Sequence, residues 1–331
     1  MAFPNSLLLA VLFSFLSLLP SAQSRLSTEY YNKTCPQFHN VMQRIIADKQ
    51  LGAPTTAAAI LRVFFHDCFV NGCDASLLIA SNAFNKSELA ADINLSLAGD
   101  AFDLIVRAKT ALELECPGVV SCSDILAVSA RDLVVMVGGP FYKVRLGRKD
   151  SKESDPSIVE SNIPKTTTPM SEILALFAAK GFSAEEMVAL TGAHTIGFSH
   201  CKEFANRIFN FSKTSEYDPA YNPVFAQGLR KLCANYTKSP EMSAFNDVFT
   251  PGKFDNMYFK NLQRGLGLLL SDQAMLTDNT TRPFVDLFAA NQTAFFDTFA
   301  RSMEKLSLYK IKRNREGEVR RRCDQFNTLQ T

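Results

Sequence analysis

The sequence predicts an all-α protein whose chain is divided into two halves. Apolar residues recur at intervals of three and four along most of the chain, which is the period of an amphipathic helix. Strand signals are sparse. A polar stretch that contains Pro and Ser, residues 149–168, separates two long helical regions.

Two helices of the first half can be placed from their boundaries. Apolar residues repeat at helical spacing over residues 101–112, and the run ends at the Cys-Pro-Gly sequence of residues 116–118. Ser121, with Asp124 three residues later, is typical of a helix N-cap. The helix that follows should end at the Gly-Gly-Pro sequence of residues 138–140.

Two helices of the second half are predicted in the same way. Thr168-Pro169 should open one helix, and Lys180-Gly181 should end it. Ser183 and Glu186 form a capping-box pattern for the next helix, which leads directly to His194.

The best strand pattern is short. Residues 141–146, Phe-Tyr-Lys-Val-Arg-Leu, alternate in character and are rich in β-forming residues. We therefore expect little β structure, with this segment as the best candidate for a strand.

The N-terminal residues 1–24 are predicted to be a secretory signal peptide. They carry no charge, and an apolar run at residues 7–19 is followed by Ala22-Gln23-Ser24. The alternative is an N-terminal core helix. No later stretch reaches the roughly 18 apolar residues of a membrane span, so we expect a soluble mature chain of residues 25–331.

The cysteines and the charge balance indicate an extracellular protein. All eight cysteines lie after residue 24, and this even number favours disulfide bonds, although eight cysteines allow roughly a hundred pairings. Zinc is disfavoured because no Cys-x-x-Cys pair is present. The net charge of +2 gives no reason to expect a nucleic-acid partner. Sequons that fit a glycoprotein occur at Asn32, Asn85, Asn210, Asn235, Asn279 and Asn291.

Arg62 and His66 are the first candidates for catalysis. They stand four residues apart, so on a helix both side chains point from one face toward the same object. A neutral histidine beside a fixed cation suits a reaction in which a proton moves while negative charge grows nearby. Such pairs also occur on ordinary surface helices, so the spacing alone leaves both interpretations open.

The segment after His66 is rich in oxygen donors. Asp67, Asp74 and Ser76 supply carboxylate and hydroxyl oxygens. If a tight loop joins the neighbouring cysteines, the carbonyls of Val70 and Gly72 would also face inward. This donor set suits calcium, which takes about six to eight oxygen ligands, whereas the alternative is an ordinary acidic turn.

A second histidine and a second oxygen-rich segment lie in the other half. His194 could ligate haem iron if its other ring nitrogen donates to an acceptor, for which Asp272 is a candidate. Asp247, Thr250 and Asp255 form the second cluster of oxygens. The alternative for His194 is a buried, hydrogen-bonded residue without a ligand role.

Taken together, these motifs resemble the secretory plant (class III) haem peroxidases over essentially the whole mature chain. The motifs are LSTEYY at 26–31, RVFFHDCFVNGCDAS at 62–76, VSCSDIL at 120–126, LGRKDS at 146–151, VALTGAHTIG at 188–197 and FDN at 254–256. The resemblance implies the haem peroxidase fold, with about ten or more helices and haem b between a distal half (about 25–160) and a proximal half (about 161–331).

The resemblance implies a role for each distal residue. His66 would be the base that takes a proton from hydrogen peroxide, and Arg62 would stabilise the charge that develops. Phe65 would form the wall of the distal pocket. Asn94 would accept a hydrogen bond from His66, so that its Asn-Leu-Ser sequon should carry no glycan, and Glu88 would reach the distal calcium ion through water.

On the proximal side, the resemblance makes His194 the iron ligand and Asp272 its hydrogen-bond acceptor. It also implies two calcium ions. The distal ion would be bound by Asp67, Val70, Gly72, Asp74 and Ser76. The proximal ion would be bound by Thr195, Asp247, Thr250, Lys253 and Asp255.

The resemblance also selects one disulfide pattern and a buried ion pair. The implied bonds are Cys35–Cys116, Cys68–Cys73, Cys122–Cys323 and Cys201–Cys233. Asp124 and Arg148 would form the ion pair. Removal of one partner of such a pair should be strongly destabilising.

The implied activity is reduction of hydrogen peroxide by a secreted, monomeric enzyme of the extracellular space or cell wall that oxidises phenolic donors in one-electron steps. Pro164 matches the proline at the donor site. Three features depart from the family: Lys165-Thr166 follows that proline, and Asp92 and Glu203 stand where relatives place aromatic contacts. Acidic residues there should disfavour anionic donors.

Two other functions are compatible with parts of the sequence. One is a haem- or calcium-binding wall protein without turnover. The other is a cysteine hydrolase that uses Cys68, which would require a free thiol.

Overall fold

This computed structural model describes residues 26–82 and 86–328. The predicted signal peptide and the sequon at Asn85 lie outside these residues. The described residues form twelve α-helices and one small sheet, which confirms the mostly helical fold that the sequence predicts. None of the described helices combines the length and the apolar character needed to cross a bilayer.

The α-helices follow one another from residue 38 to residue 306. They are α1 Phe38–Gly52, α2 Thr56–Val70, α3 Gly99–Glu115, α4 Cys122–Met136, α5 Met170–Ala179, α6 Ala184–Thr191, α7 Ala205–Ile208, α8 Pro223–Leu232, α9 Met257–Gln263, α10 Leu270–Thr277, α11 Arg282–Ala290 and α12 Gln292–Leu306. Short 3₁₀ turns occupy Ser76–Leu78, Glu88–Ala90, Asp92–Asn94, Pro156–Ile158, Gly192–Thr195, Cys201–Glu203 and Asn314–Glu316. The strands are β1 Phe198–His200 and β2 Ser243–Phe245.

The predicted helix boundaries are confirmed where capping residues define them. The Ser121 side chain accepts a hydrogen bond from the Asp124 backbone at the start of α4. Ser183 and Glu186 form the predicted capping box of α6. After α5, Gly181 adopts a φ of +84°, a left-handed conformation that glycine tolerates without a steric cost.

The predicted strand at residues 141–146 is wrong. Its alternation is real, because Tyr142, Val144 and Leu146 are buried and the residues between them are exposed. No neighbouring strand runs along it in the described chain, and only Leu146 forms a β-bridge, with Ser27. The antiparallel sheet is formed instead by β1 and β2.

The buried residues fall into two cores. In the main core, α2 packs against α3 and α4, and α6 packs against α12. A second, smaller core, here called the satellite core, lies within the second half of the chain. It consists of Cys201, Phe204, Ile208, Tyr221, Ala226, Leu229, Cys233, Leu268 and Leu269.

Four disulfides and a buried ion pair connect these elements. The bonds join Cys35 to Cys116, Cys68 to Cys73, Cys122 to Cys323 and Cys201 to Cys233, the pattern that the resemblance implies. Because Cys68 is bonded to Cys73, it has no thiol for a hydrolase reaction. Arg148 Nη1 lies 2.9 Å from Asp124 Oδ1, and both side chains are fully buried.

Candidate active site

A cavity of about 960 Å³ brings the two candidate histidines to one place. It is lined by residues of α2, α5, α6 and α10, and Arg62, His66 and His194 all face it. Its volume lies at the upper end of the range typical of pockets that bind cofactors and other small molecules. The sequence alone could not join residues from these separate helices.

The surroundings of His66 favour a neutral imidazole. His66 Nδ1 lies 2.7 Å from Asn94 Oδ1, and Asn94 Nδ2 donates to the carbonyl of Glu88 at 2.7 Å. This second bond orients the amide, so His66 Nδ1–H donates and the opposite nitrogen, Nε2, stays free as a base. Burial, followed by the charge of Arg62, lowers the pKa of His66 from its ordinary value of 6.5 to about 3.

Arg62 is held by residues on both sides of Asn94. Its Nη1 donates to the carbonyl of Ser96 at 2.9 Å, and its Nη2 donates to Ser96 Oγ at 2.9 Å and to the carbonyl of Ile93 at 3.1 Å. Burial lowers the pKa of Arg62, but an arginine keeps its charge in a protein. The fixed cation therefore lies one helical turn from His66.

Phe65 forms part of the cavity wall. Its ring stacks on that of Phe69 with a centroid distance of 4.5 Å and lies 6.1 Å from that of Phe177 of α5. These contacts restrict the orientation of the Phe65 ring, so the wall next to His66 is rigid.

His194 also faces the cavity. Its Nδ1 lies 3.1 and 3.2 Å from the two carboxylate oxygens of the buried Asp272. The side chain is 40% exposed although it lies deep in the protein, because the exposed part faces the cavity. Burial alone would lower the pKa of His194, but Asp272 outweighs this effect and raises it.

One neighbour of His194 could not be found from the sequence. The buried Tyr258 of α9 places its ring at 89° to the imidazole, with a centroid distance of 6.1 Å. Burial, with the nearby Asp272 carboxylate, raises the pKa of Tyr258 well above its ordinary value. No periodic pattern marks this residue; its nearest signal is the preceding FDN motif.

The predicted distal calcium residues surround a buried acidic site. Asp74 Oδ2, Ser76 Oγ and Glu88 Oε2 are all buried, and none has a hydrogen-bond partner within the described residues. The Ser76 backbone N–H donates to the other Asp74 oxygen, Oδ1, at 3.1 Å, but the Ser76 hydroxyl makes no hydrogen bond to either carboxylate. Burial raises the pKa of Asp67, Asp74 and Glu88, that of Glu88 to about 8. Uncompensated oxygens of this kind suit a bound cation.

The two predicted carbonyl donors lie in the loop closed by the Cys68–Cys73 bond. Val70 ends α2, and Gly72 has a φ of +123°. A Cβ atom on Gly72 would lie only 2.4 Å from the Lys310 carbonyl oxygen. Glycine is therefore required here for both conformation and space.

The predicted proximal calcium residues also converge. Thr195 Oγ1 lies 3.3 Å from Asp247 Oδ2 and 3.5 Å from the carbonyl oxygen of Lys253. Thr250 Oγ1 lies 3.1 Å from Asp247 Oδ2 and 3.1 Å from Asp255 Oδ1. Within the described residues, however, no group of three or more His, Cys, Asp or Glu side chains is arranged to hold a metal ion. Both predicted sites depend on hydroxyl and carbonyl oxygens in addition to carboxylates.

The residues that depart from the family also reach the cavity. Lys165, Thr166, Asp92 and Glu203 all line it, as does Pro164, which matches the family. Lys165 Nζ lies 2.8 Å from a carboxylate oxygen of Glu160, so the positive charge of Lys165 is already paired with a carboxylate.

Comparison with known proteins shows which family the chain resembles. A family model described as "Peroxidase" matches residues 38–291. The chain is 59% identical to Peroxidase 65 of Arabidopsis thaliana over 92% of this chain and 90% of that protein. It is 56% identical to Peroxidase 31 of the same plant over 99% of this chain and 100% of that protein, and 58% identical to Peroxidase 6 over 92% and 93%.

Proposed function

The chain belongs to the peroxidase family, and on that premise we propose that Arg62, His66 and Asn94 cleave hydrogen peroxide on a haem iron ligated by His194. The peroxidase reduces hydrogen peroxide with electrons from donor molecules. The observation that carries the proposal is the hydrogen-bonded chain that runs from Glu88 through Asn94 to His66. This hydrogen-bonded chain leaves Nε2 of His66 free to act as a base in the cavity that His194 also faces.

The residues of the cavity fit a haem. His194 would ligate the iron through Nε2, since Asp272 accepts from its Nδ1. Apolar side chains suited to a large planar ring line the remaining walls, namely Ala59, Phe65, Ile173, Phe177, Leu190 and Met275. When bound, the haem supplies the redox-active iron on which peroxide is reduced.

His66 would transfer one proton between the two oxygens of the peroxide. Nε2 accepts the proton from one oxygen and delivers it to the other, which departs as water. The Asn94 hydrogen bond keeps Nδ1 protonated throughout, so the same nitrogen both receives and donates the proton.

Arg62 would stabilise the negative charge on the departing oxygen. Its guanidinium is anchored to Ile93 and Ser96, so the cation is already fixed beside His66 before peroxide enters. A preorganised charge of this kind needs no reorganisation during the reaction. The ring of Phe65 would limit the space next to His66 to a molecule as small as peroxide.

Stopped-flow absorbance of the haem-loaded protein tests this function. Addition of hydrogen peroxide should change the haem spectrum, and phenolic donors should restore it with formation of oxidised product. A normal haem spectrum without any peroxide-dependent oxidation of a simple phenol would instead support the wall protein without turnover.

We further propose phenolic donors, and among them those without a negative charge. Pro164 would contact the donor ring in the cavity, which the exposed Asp92 and the partly exposed Glu203 also line. Lys202 Nζ lies 3.7 Å from Glu203 Oε1 and offsets that charge, so the carboxylate of Asp92 would repel an anionic donor. A neutral phenol should therefore show a lower KM than a matched phenol that carries a carboxylate, and Asp92→Asn should narrow the difference.

We also propose that the protein binds two calcium ions and is secreted. The unpaired oxygens of Asp74, Ser76 and Glu88 support one calcium ion, and the convergent oxygens near Thr195 and Asp247 support a second. Four disulfides and the predicted signal peptide support a protein secreted to the extracellular space or cell wall, and we propose that it acts as a monomer. Residues 25–160 would supply the distal side of the cavity, and residues 161–331 the proximal side.

A further inference from the structure

Arg207 is a buried cation that holds three successive backbone carbonyls. It lies on α7, is 1% exposed, and its Nε donates to Asp218 Oδ2 at 2.9 Å. Its Nη1 lies 2.7, 2.9 and 3.0 Å from the carbonyl oxygens of Gly267, Leu268 and Leu269. Charge-assisted hydrogen bonds of this kind are about twice as strong as neutral ones.

Tyr221 completes this arrangement from the other side. The guanidinium carbon of Arg207 lies 3.9 Å from the centroid of the Tyr221 ring, and the Tyr221 hydroxyl donates to the carbonyl of Leu268 at 2.5 Å. Cation–π contact is strongest where, as here, water is excluded. The segment of residues 267–269 is thus held by both side chains.

The held segment leads directly into the helix that carries Asp272. Leu269 is the N-cap of α10, and Asp272 is the third residue of that helix. Leu268 and Leu269 belong to the satellite core, whereas the α6 residues that lead to His194 belong to the main core. Helix α10 therefore starts in the satellite core, while its later residue Met275 belongs to the main core, and Asp272 lies between the two.

From this arrangement we infer that Arg207 is a positioning residue, which sets the hydrogen bond between His194 and Asp272 by fixing residues 267–269. The inference rests on the proposed roles of His194 and Asp272. Two neutral hydrogen bonds also hold this region, from Gly267 N to Gln273 Oε1 and from Ser271 N to the carbonyl of Thr166. Loss of Arg207 should therefore displace Asp272 without releasing α10.

The vibrational frequency of the iron–histidine bond, measured by resonance Raman spectroscopy on the reduced holoprotein, tests the inference. A strong hydrogen bond to Asp272 makes His194 a more basic ligand and strengthens its bond to iron. Arg207→Lys keeps the positive charge, but a single ammonium cannot reproduce the guanidinium contacts to both Asp218 and the carbonyls. We expect Arg207→Lys to lower the frequency and to make the ferric/ferrous potential more positive.

Three further variants make the test decisive. Asp272→Asn removes the acceptor and should produce the largest shift in the same direction. Tyr221→Phe removes only the hydroxyl bond to Leu268 and should produce a smaller shift; it also serves if Arg207→Lys fails to fold. Arg148→Lys is the matched control, because Arg148 is another buried arginine paired with a carboxylate, but it contacts neither His194 nor Asp272.

Each outcome bears on a different statement. The inference would be overturned if Asp272→Asn shifts the iron–histidine frequency but Arg207→Lys and Tyr221→Phe keep the wild-type value. The proposed function would then remain intact. Equal shifts in Arg207→Lys and Arg148→Lys would also overturn it, since the effect would then be general loosening. An unshifted Asp272→Asn would contradict the proposed iron-ligand pair itself.

Discussion

The surroundings of His66 would prepare it for proton transfer before any substrate binds. Burial and the charge of Arg62 keep it neutral, while Asn94 decides which ring nitrogen carries the proton. The amide of Asn94 is itself oriented by a backbone carbonyl, that of Glu88. The base is therefore formed by folding and does not depend on the arrival of peroxide.

Replacement of His66 should separate haem binding from peroxide cleavage. His66→Leu should retain haem, because His194 is the proposed iron ligand, but it should react with peroxide about 10²–10⁴-fold more slowly. The rate is measured by stopped-flow absorbance. His39→Leu provides the matched control, since His39 is exposed on α1. Equal losses in the two variants would refute the assignment of His66.

Arg62 should control the pH range as well as the rate. His66 acts as a base only above its pKa, so a pKa of about 3 keeps the peroxide reaction constant from pH 7 down to about 4. The charge of Arg62 contributes to this low pKa, so Arg62→Gln should raise it and move the acidic decline to higher pH. The rate at pH 7 should fall by about 10²–10³-fold. An acidic limb at an unchanged pH in Arg62→Gln would contradict this electrostatic role.

The loop that follows α2 connects the helix of His66 to the proposed distal calcium site. Asp67 lies on α2 directly after His66, and its carboxylate accepts hydrogen bonds from the backbone of Ala75 and Leu77. The Cys68–Cys73 bond closes the same loop. A cation bound here would fix the end of α2 and, through it, His66.

Calcium removal and one small substitution test this coupling. The wild-type protein should contain two calcium ions, and a chelator should lower its thermal unfolding temperature. Ser76→Ala removes a buried hydroxyl that has no hydrogen-bond partner among residues 26–82 and 86–328. It should not destabilise the calcium-free protein, but it should weaken calcium binding and reduce the stabilisation that calcium gives.

Ser129→Ala is the matched control for this experiment. Ser129 Oγ on α4 is also buried without a partner, but the residue lies outside the predicted calcium sites. Metal analysis and thermal unfolding should therefore show unchanged calcium binding. Loss of calcium in both variants, or in neither, would contradict the distal site.

The helices could be predicted from residues that lie close together in the sequence. Strand pairing could not, because it depends on segments that lie far apart in the sequence. Capping at Ser121 and Ser183 involves residues three positions apart, so the sequence reveals it directly. The alternating segment at residues 141–146 failed as a strand because a strand needs a partner, and no sequence pattern specifies one.

The same limit applies to the site. The spacing of Arg62 and His66 predicts a shared helix face, but Asn94 lies 28 residues from His66, and Asp272 lies 78 residues from His194. Periodicity cannot select such partners; the family resemblance did. Tyr258 was missed because neither spacing nor a recognised motif position marked it.

At the scale of the whole molecule, the cavity lies where separately stabilised parts meet. The main core anchors α2 and α6, whereas the satellite core anchors the start of α10. The Cys201–Cys233 bond lies inside the satellite core. Residues remote from the cavity can therefore affect the geometry on its proximal side.

The distribution of glycans should follow the exposure of the sequons over the whole surface. Asn32, Asn210, Asn235, Asn279 and Asn291 are exposed, whereas Asn94 is 2% exposed and both ends of its amide are hydrogen-bonded.

A glycan on Asn94 would displace the amide from His66, so the chain could not form the active cavity. The protein is secreted from eukaryotic cells, and the fraction that contains haem is collected by its absorbance. This fraction should carry no glycan at Asn94, whereas the exposed sequons should be occupied. Glycopeptide mass spectrometry measures occupancy at each asparagine. The fraction without haem is the control, because only there could an occupied Asn94 accumulate. A glycan at Asn94 in fully active protein would show that the hydrogen bond to His66 is not required.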